Sequence, residues 1–122
     1  MAKTVLVVDD EPSVVEVVKD LLRNAGYNVI FAFNSEQALA NAVKEKPDLA
    51  VLDVMMPGMN GFELGYKLKT NSATQGMPIV YLTILKEQKD RDEAKKIGAE
   101  DFISKPFDPK ALLETIEKII GK

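Results

Sequence analysis

Five side chains in this sequence have the types needed to do chemistry together: Asp9, Asp10, Asp53, Thr83 and Lys105. The chain has no histidine and no cysteine. That excludes disulfides, thiolate metal sites, His-assisted nucleophiles and most zinc sites. Carboxylate, ammonium, hydroxyl and backbone remain. Acids brought close together repel one another unless something cationic sits among them. An all-oxygen donor set suits a hard ion, magnesium first, which keeps several waters and is completed by a substrate phosphate. A carboxylate can also act as a nucleophile, with a hydroxyl and an ammonium to stabilise an oxyanion. Gathered in one place, these groups are equipped for phosphoryl transfer onto Asp53.

Each residue alone has a plainer explanation. Asp9-Asp10-Glu11 reads as a solvated acidic turn at a helix N-terminus. Thr83 reads as a β-branched strand residue, and Lys105 as a surface lysine. The chemical reading therefore depends on whether the fold brings them to one edge. Leu49–Leu52 is a short apolar run that stops at Asp53, ahead of a loop marked by Pro57, Gly58, Asn60 and Gly61. Such a run suits a buried strand of a parallel sheet. Thr4–Val8 runs into Asp9, Ile79–Leu82 into Thr83, and the short Phe102-Ile103 toward Lys105. A further strand is expected at Val29–Phe33.

Between these strands the apolar residues recur at helical spacing. Pro12 suits a first helical position, and Gly26 a C-terminal cap. Asn34 with Gln37, and Asn60 with Glu63, have the spacing of capping boxes, and Asp108-Pro109 opens the last helix. The expected fourth helix, about Glu87–Ile97, is mostly charged and so should bury little and be held loosely. Asn60-Gly61 reads as turn chemistry alone, and Met55, Met56 and Met59 as loop packing. Five strands alternating with five helices call for a doubly wound α/β fold in the order 2-1-3-4-5. Its switch point lies between strands 1 and 3, where Asp9, Asp10 and Asp53 would meet.

The chain has 122 residues, 46% hydrophobic and 29% charged, which suits one globular domain over 1–122. A net charge of −3 offers no basic footprint for nucleic acid and no polybasic membrane anchor. No signal peptide or membrane span is visible, so a cytoplasmic protein is the expectation.

VLVVDDEP, LDVMMPGMNG, IVYLT and DFISKPF, in this order and spacing, resemble the receiver domain of two-component response regulators over essentially the whole chain. The resemblance implies a flavodoxin-like fold of the stand-alone, chemotaxis type. It implies that Asp53 is the phosphoacceptor and that Asp10, Asp53 and the main-chain carbonyl of Met55 bind Mg2+, with Asp9 acting indirectly. Lys105 would pair with Asp53 and then with the phosphoryl group. Thr83 would be the switch hydroxyl and Phe102 the switch aromatic that turns inward. Lys105-Pro106 would be a cis peptide. Ile84 departs from the small residue usual after the switch threonine, and predicts slow self-dephosphorylation.

Because the chain has no histidine, a phosphohistidine donor must lie in another protein, a histidine kinase or a phosphotransfer protein. No output domain is expected after Lys122. The expected output is therefore a downstream protein target, or the chain is part of a longer regulator. A pseudo-receiver used for docking is the first alternative. An aspartyl-nucleophile phosphatase is the second and weaker one, because the position two residues after Asp53 is Met55 rather than an acid. The expected role is that of a signalling module, not a turnover enzyme.

Overall fold

The computed structural model describes residues 2–122. Strands β1 (Thr4–Val8), β2 (Asn28–Ala32), β3 (Leu49–Leu52), β4 (Ile79–Thr83) and β5 (Asp101–Ser104) alternate with helices α1 (Pro12–Asn24), α2 (Ser35–Glu45), α3 (Gly61–Thr70), α4 (Gln88–Ile97) and α5 (Pro109–Ile120). All strand pairs are parallel, in the order β2-β1-β3-β4-β5. The expected fold is therefore the one formed, and all carboxyl ends share one edge. Among the described residues no helix is long and apolar enough to cross a membrane.

A continuous apolar run buries both faces of a strand. β1, β3 and β4 are buried along nearly their whole length. On one side Val5, Val7, Leu49, Val51, Val80 and Leu82 pack with Val18 and Leu22 of α1 and Leu112 and Ile116 of α5. On the other, Leu6, Ala50, Leu52, Tyr81 and Phe102 meet the alanines of α2 and the inner faces of α3 and α4.

The caps follow the sequence closely. The Asn34 side chain accepts from the Gln37 amide at 2.8 Å. Asn60 and Glu63 form a complete capping box, Pro12 and Pro109 open their helices, and Asp108 caps α5. Lys46 closes α2 in the left-handed region, and Gly26 follows α1 with φ +97°.

Two strands differ from expectation at their ends. β2 runs over Asn28–Ala32 rather than Val29–Phe33. The Asn28 amide already bonds the Lys3 carbonyl, while the Phe33 amide is taken by the Gln37 side chain as α2 begins. β5 extends by one residue at each end, because Asp101 pairs with Val80 and Ser104 with Thr83. The charged α4 is also fastened better than its composition implied. Asp90 closes a capping box with Glu87, Gly98 ends the helix at φ +98°, and Ala94 and Ile97 are buried. A helix with a small apolar stripe is anchored by its two ends and that stripe, not by a broad face.

Candidate phosphoacceptor and metal site

The sheet delivers each candidate residue in turn. The Asp9 amide bonds the Ala32 carbonyl, and the Asp53 amide bonds the Val8 carbonyl at 3.0 Å. Both aspartates are thus held one position past their strands by the ladder itself. Asp9 and Asp53 are buried, at 2% and 4% exposure, whereas Asp10 is exposed. One carboxylate oxygen from each of Asp9, Asp10 and Asp53 falls within 4.8 Å of the others. Thr83 is fully buried at the end of β4. Its carbonyl accepts from the Lys105 amide at 2.7 Å, which ties the two strand ends together. The Lys105-Pro106 bond is cis.

Lys105 reaches back across the edge. Its Nζ lies 2.7 Å from Asp9 Oδ2 and 3.6 Å from Asp53 Oδ2. The family resemblance pairs it with Asp53; here the ammonium bridges both buried acids and stands nearer Asp9. One cation between two buried carboxylates relieves more repulsion than a pair with either alone. Asp9 Oδ1 accepts the Glu11 amide, and Asp53 Oδ1 accepts the Met55 amide at 3.3 Å.

The electrostatics follow from this crowding. Burial and then the Asp9 charge push the Asp53 carboxyl above its ordinary value, against the opposing pull of Lys105, the Thr83 hydroxyl and the Met55 amide. Burial disfavours the Lys105 ammonium, but its hydrogen bond to Asp9 and the charges of Asp53, Asp9 and Glu11 outweigh it and raise its pKa. A crowd of acids with one ammonium leaves net negative charge in a pocket of oxygen donors. That donor set fits a hard divalent cation such as magnesium.

Phe102 lies inward, at 8% exposure, beside Tyr81 with ring centroids 6.4 Å apart. The Arg91 guanidinium stands over the Phe102 ring, 5.2 Å from its centroid. Of the loop methionines, Met56 is buried and Met59 packs on the core, but Met55 exposes its side chain. Loop packing therefore explains Met56 and Met59 and not Met55. Ile84 is likewise exposed, at 58%, directly after Thr83.

Sequence reasoning missed three supports of this site. Ser35, fully buried, donates to the Met59 carbonyl at 2.6 Å and so fastens the loop after β3 to α2. Gly61 is more than turn chemistry. A Cβ there would collide with the Asp53 carbonyl and stand 2.7 Å from Val54 Cα. Tyr81 donates its hydroxyl to the Gly61 carbonyl at 2.7 Å. The available signals were a tyrosine inside an aliphatic run and a second glycine, Gly65, within a helix.

The model of the response regulator receiver domain matches residues 5–117. The chain belongs to this family. Receiver domains are signalling modules of two-component systems that generally bind magnesium at an acidic pocket. The chain is 39% identical over its whole length to the phosphate regulon transcriptional regulatory protein PhoB of Pseudomonas aeruginosa. It is 40% identical to the alkaline phosphatase synthesis transcriptional regulatory protein PhoP of Bacillus subtilis, again over its whole length. It spans about half the length of these two relatives, 53% and 50%. Over 96% of its length it is 34% identical to protein PilH of P. aeruginosa, and there it covers 97% of the relative. Among solved structures, the chemotaxis protein CheY4 of Vibrio cholerae superposes with a TM-score of 0.93 at 36% identity, covering 98% of this chain and 99% of that one. A protein of known structure from Chloroflexus aurantiacus superposes equally well, at 0.93 and 33% identity, over the full length of both chains.

Proposed function

We propose that residues 1–122 form one receiver domain in which Asp53 accepts a phosphoryl group from a phosphohistidine on a partner histidine kinase or phosphotransfer protein. The observation that carries this reading is the convergence of buried Asp53, Lys105 and Thr83 on one pocket that also holds Asp9 and Asp10. An Asp53 carboxylate oxygen attacks phosphorus in line with the departing imidazole. The phosphorus–oxygen bond forms as the phosphorus–nitrogen bond breaks, and the imidazole leaves with that electron pair and its proton. Lys105 neutralises a phosphoryl oxygen, and the Thr83 hydroxyl donates to another.

Asp10, Asp53 and the main-chain carbonyl of Met55 are the residues suited to hold magnesium, with Asp9 acting through water. When bound, magnesium supplies the positive charge that lets the dianionic phosphoryl group enter an acidic pocket. Phosphorylation replaces the single negative charge of the Asp53 carboxylate with a group of roughly −1.5 to −2 at this edge. Thr83 and Phe102 respond to that charge and bias the face made by α4, β5 and α5, which binds a downstream protein target. The chain itself has no basic footprint for nucleic acid, with a net charge of −3. A cytoplasmic setting fits a domain that draws its phosphoryl group from a kinase of this kind.

Mass measurement after incubation with magnesium and a phosphorylated donor protein tests the proposal. The expected result is a gain of one phosphoryl group that disappears in Asp53→Ala. Absence of an adduct with donor proteins and small phosphodonors alike would overturn it in favour of a docking-only domain, and sustained phosphate-ester turnover in favour of a phosphatase.

A further inference from the structure

We infer that Tyr81 is a positioning residue for the phosphoacceptor turn, acting through Gly61, and that it joins this turn to Phe102. The inference rests on Asp53 being the phosphoacceptor. β4 alternates its side chains, so Tyr81 and Thr83 face the same side of the sheet. Tyr81 is fully buried. A purely apolar side chain would fill that place, and a buried phenol there needs a partner for its hydroxyl. The partner is the Gly61 carbonyl, 2.7 Å away.

Gly61 is fastened to the site on its other side. Its amide donates to the Val54 carbonyl at 2.9 Å. Its α-carbon presses on the Asp53–Val54 peptide so closely that no side chain fits. The Tyr81 hydroxyl therefore holds the residue that in turn braces the backbone of Asp53 and of the turn carrying the Met55 carbonyl.

One turn further along α3, a Cβ on Gly65 would collide with the Tyr81 hydroxyl. Glycine is unfavourable inside a helix. Here two glycines one turn apart accommodate the Asp53 carbonyl and the tyrosine that fixes it. The Tyr81 ring also meets Phe62 edge-on, centroids 5.4 Å apart, and Phe102 at 6.4 Å, with Arg91 beyond. A packed series thus runs from the α4 face, through Phe102 and Tyr81, to the main chain of Asp53.

Tyr81→Phe removes only the hydroxyl. Amide hydrogen exchange at Gly61 should then quicken about fivefold to tenfold, as for the loss of one hydrogen bond, relative to amides of β2 and α5. Magnesium affinity, read from the Met55 amide resonance without any phosphodonor, should weaken by a similar factor. Unchanged exchange at Gly61, or a quickening spread evenly over β2 and α5, would overturn the proposal.

Gly65→Ala supplies the second arm. It should disturb Gly61 in the wild type and much less in the Tyr81→Phe background, since the colliding hydroxyl is then gone; additive effects would also overturn the idea. If the wild type takes up no phosphoryl group at Asp53, the proposed function fails instead. The exchange experiment needs neither metal nor donor and decides Tyr81 on its own.

Discussion

At the amino ends of the strands, Thr4 and Asp48 exchange hydrogen bonds: the Thr4 amide donates to Asp48 Oδ2 and the Asp48 amide to the Thr4 carbonyl, both at 2.8 Å. The Asn28 amide bonds Lys3, and the Ala50 amide bonds the Pro78 carbonyl at 3.0 Å. Here acids meet donors and polar groups are matched locally. At the carboxyl ends, Asp9 and Asp53 are buried within a few ångströms of each other and of Asp10, with Lys105 as the bridging cation. One end of the same sheet holds the strands in register. The other holds groups in an arrangement that is costly by itself and useful only toward a ligand of opposite charge. Substitutions at the two ends should therefore have opposite consequences.

The largest effect is expected at Lys105. Lys105→Ala removes the ammonium that bridges Asp9 and Asp53, and phosphoryl uptake should fall about 10²–10³-fold, as for other lost oxyanion partners. Uptake kinetics followed by mass, with retained helical circular dichroism, would measure it. A loss below threefold would mean that the carboxyl end does not depend on this cation.

A smaller effect is expected at the rim. Ile84 is exposed directly after Thr83, and under the proposed function its branched side chain would crowd water approaching a phosphoryl group on Asp53. Ile84→Ala should shorten the half-life of the phosphorylated protein roughly threefold to tenfold, about 1 kcal/mol in barrier. Equal half-lives would remove Ile84 from the account.

In stability the effects are modest, and they compare the two ends directly. Asp48→Ala should destabilise by about 1–2 kcal/mol, since it leaves the Thr4 amide without its charged acceptor, and should leave phosphorylation unchanged. Asp53→Asn should stabilise by about 1 kcal/mol and abolish phosphorylation. Its pH dependence has a definite sign. The folded-state pKa of Asp53 is raised, by burial and then by Asp9, so the folded protein binds the proton more tightly than the unfolded chain. Without metal, wild-type stability then falls as pH climbs from the ordinary carboxyl value of 3.8 to the higher folded value, and this contribution is flat above it. The advantage of Asp53→Asn should shrink below that window and be full above it. Chemical denaturation of both variants at acid and neutral pH would show it, and the same sign of change at both ends would break the comparison.

Local pattern carried most of this structure. The apolar run Leu49–Leu52, the Asn60/Glu63 box and the Asp108-Pro109 cap depend on neighbours within a few residues, so periodicity and capping chemistry determine them. Alternation of strands and helices then determines a parallel sheet, and a parallel sheet puts Asp9, Asp53, Thr83 and Lys105 on one edge. The spread of these residues over the chain obscured nothing, because topology, not proximity in sequence, gathers them.

Tertiary structure alone decided the finer points. Lys105 stands closer to Asp9 than to Asp53 because the ammonium settles between two buried charges whose separation no sequence pattern states. β2 stops at Ala32 because the Phe33 amide is claimed by Gln37. α4, almost all charge in sequence, is fastened by Asp90, Ala94 and Ile97. Phe102 is inward, packed into the core beside Tyr81 with Arg91 over its ring. Gly61 and Gly65 read locally as a turn residue and a weak helix position. Only the folded chain brings the Asp53 carbonyl against one and the Tyr81 hydroxyl against the other. Such contacts join residues far apart in the chain through shape and distance, and residue type by itself encodes neither.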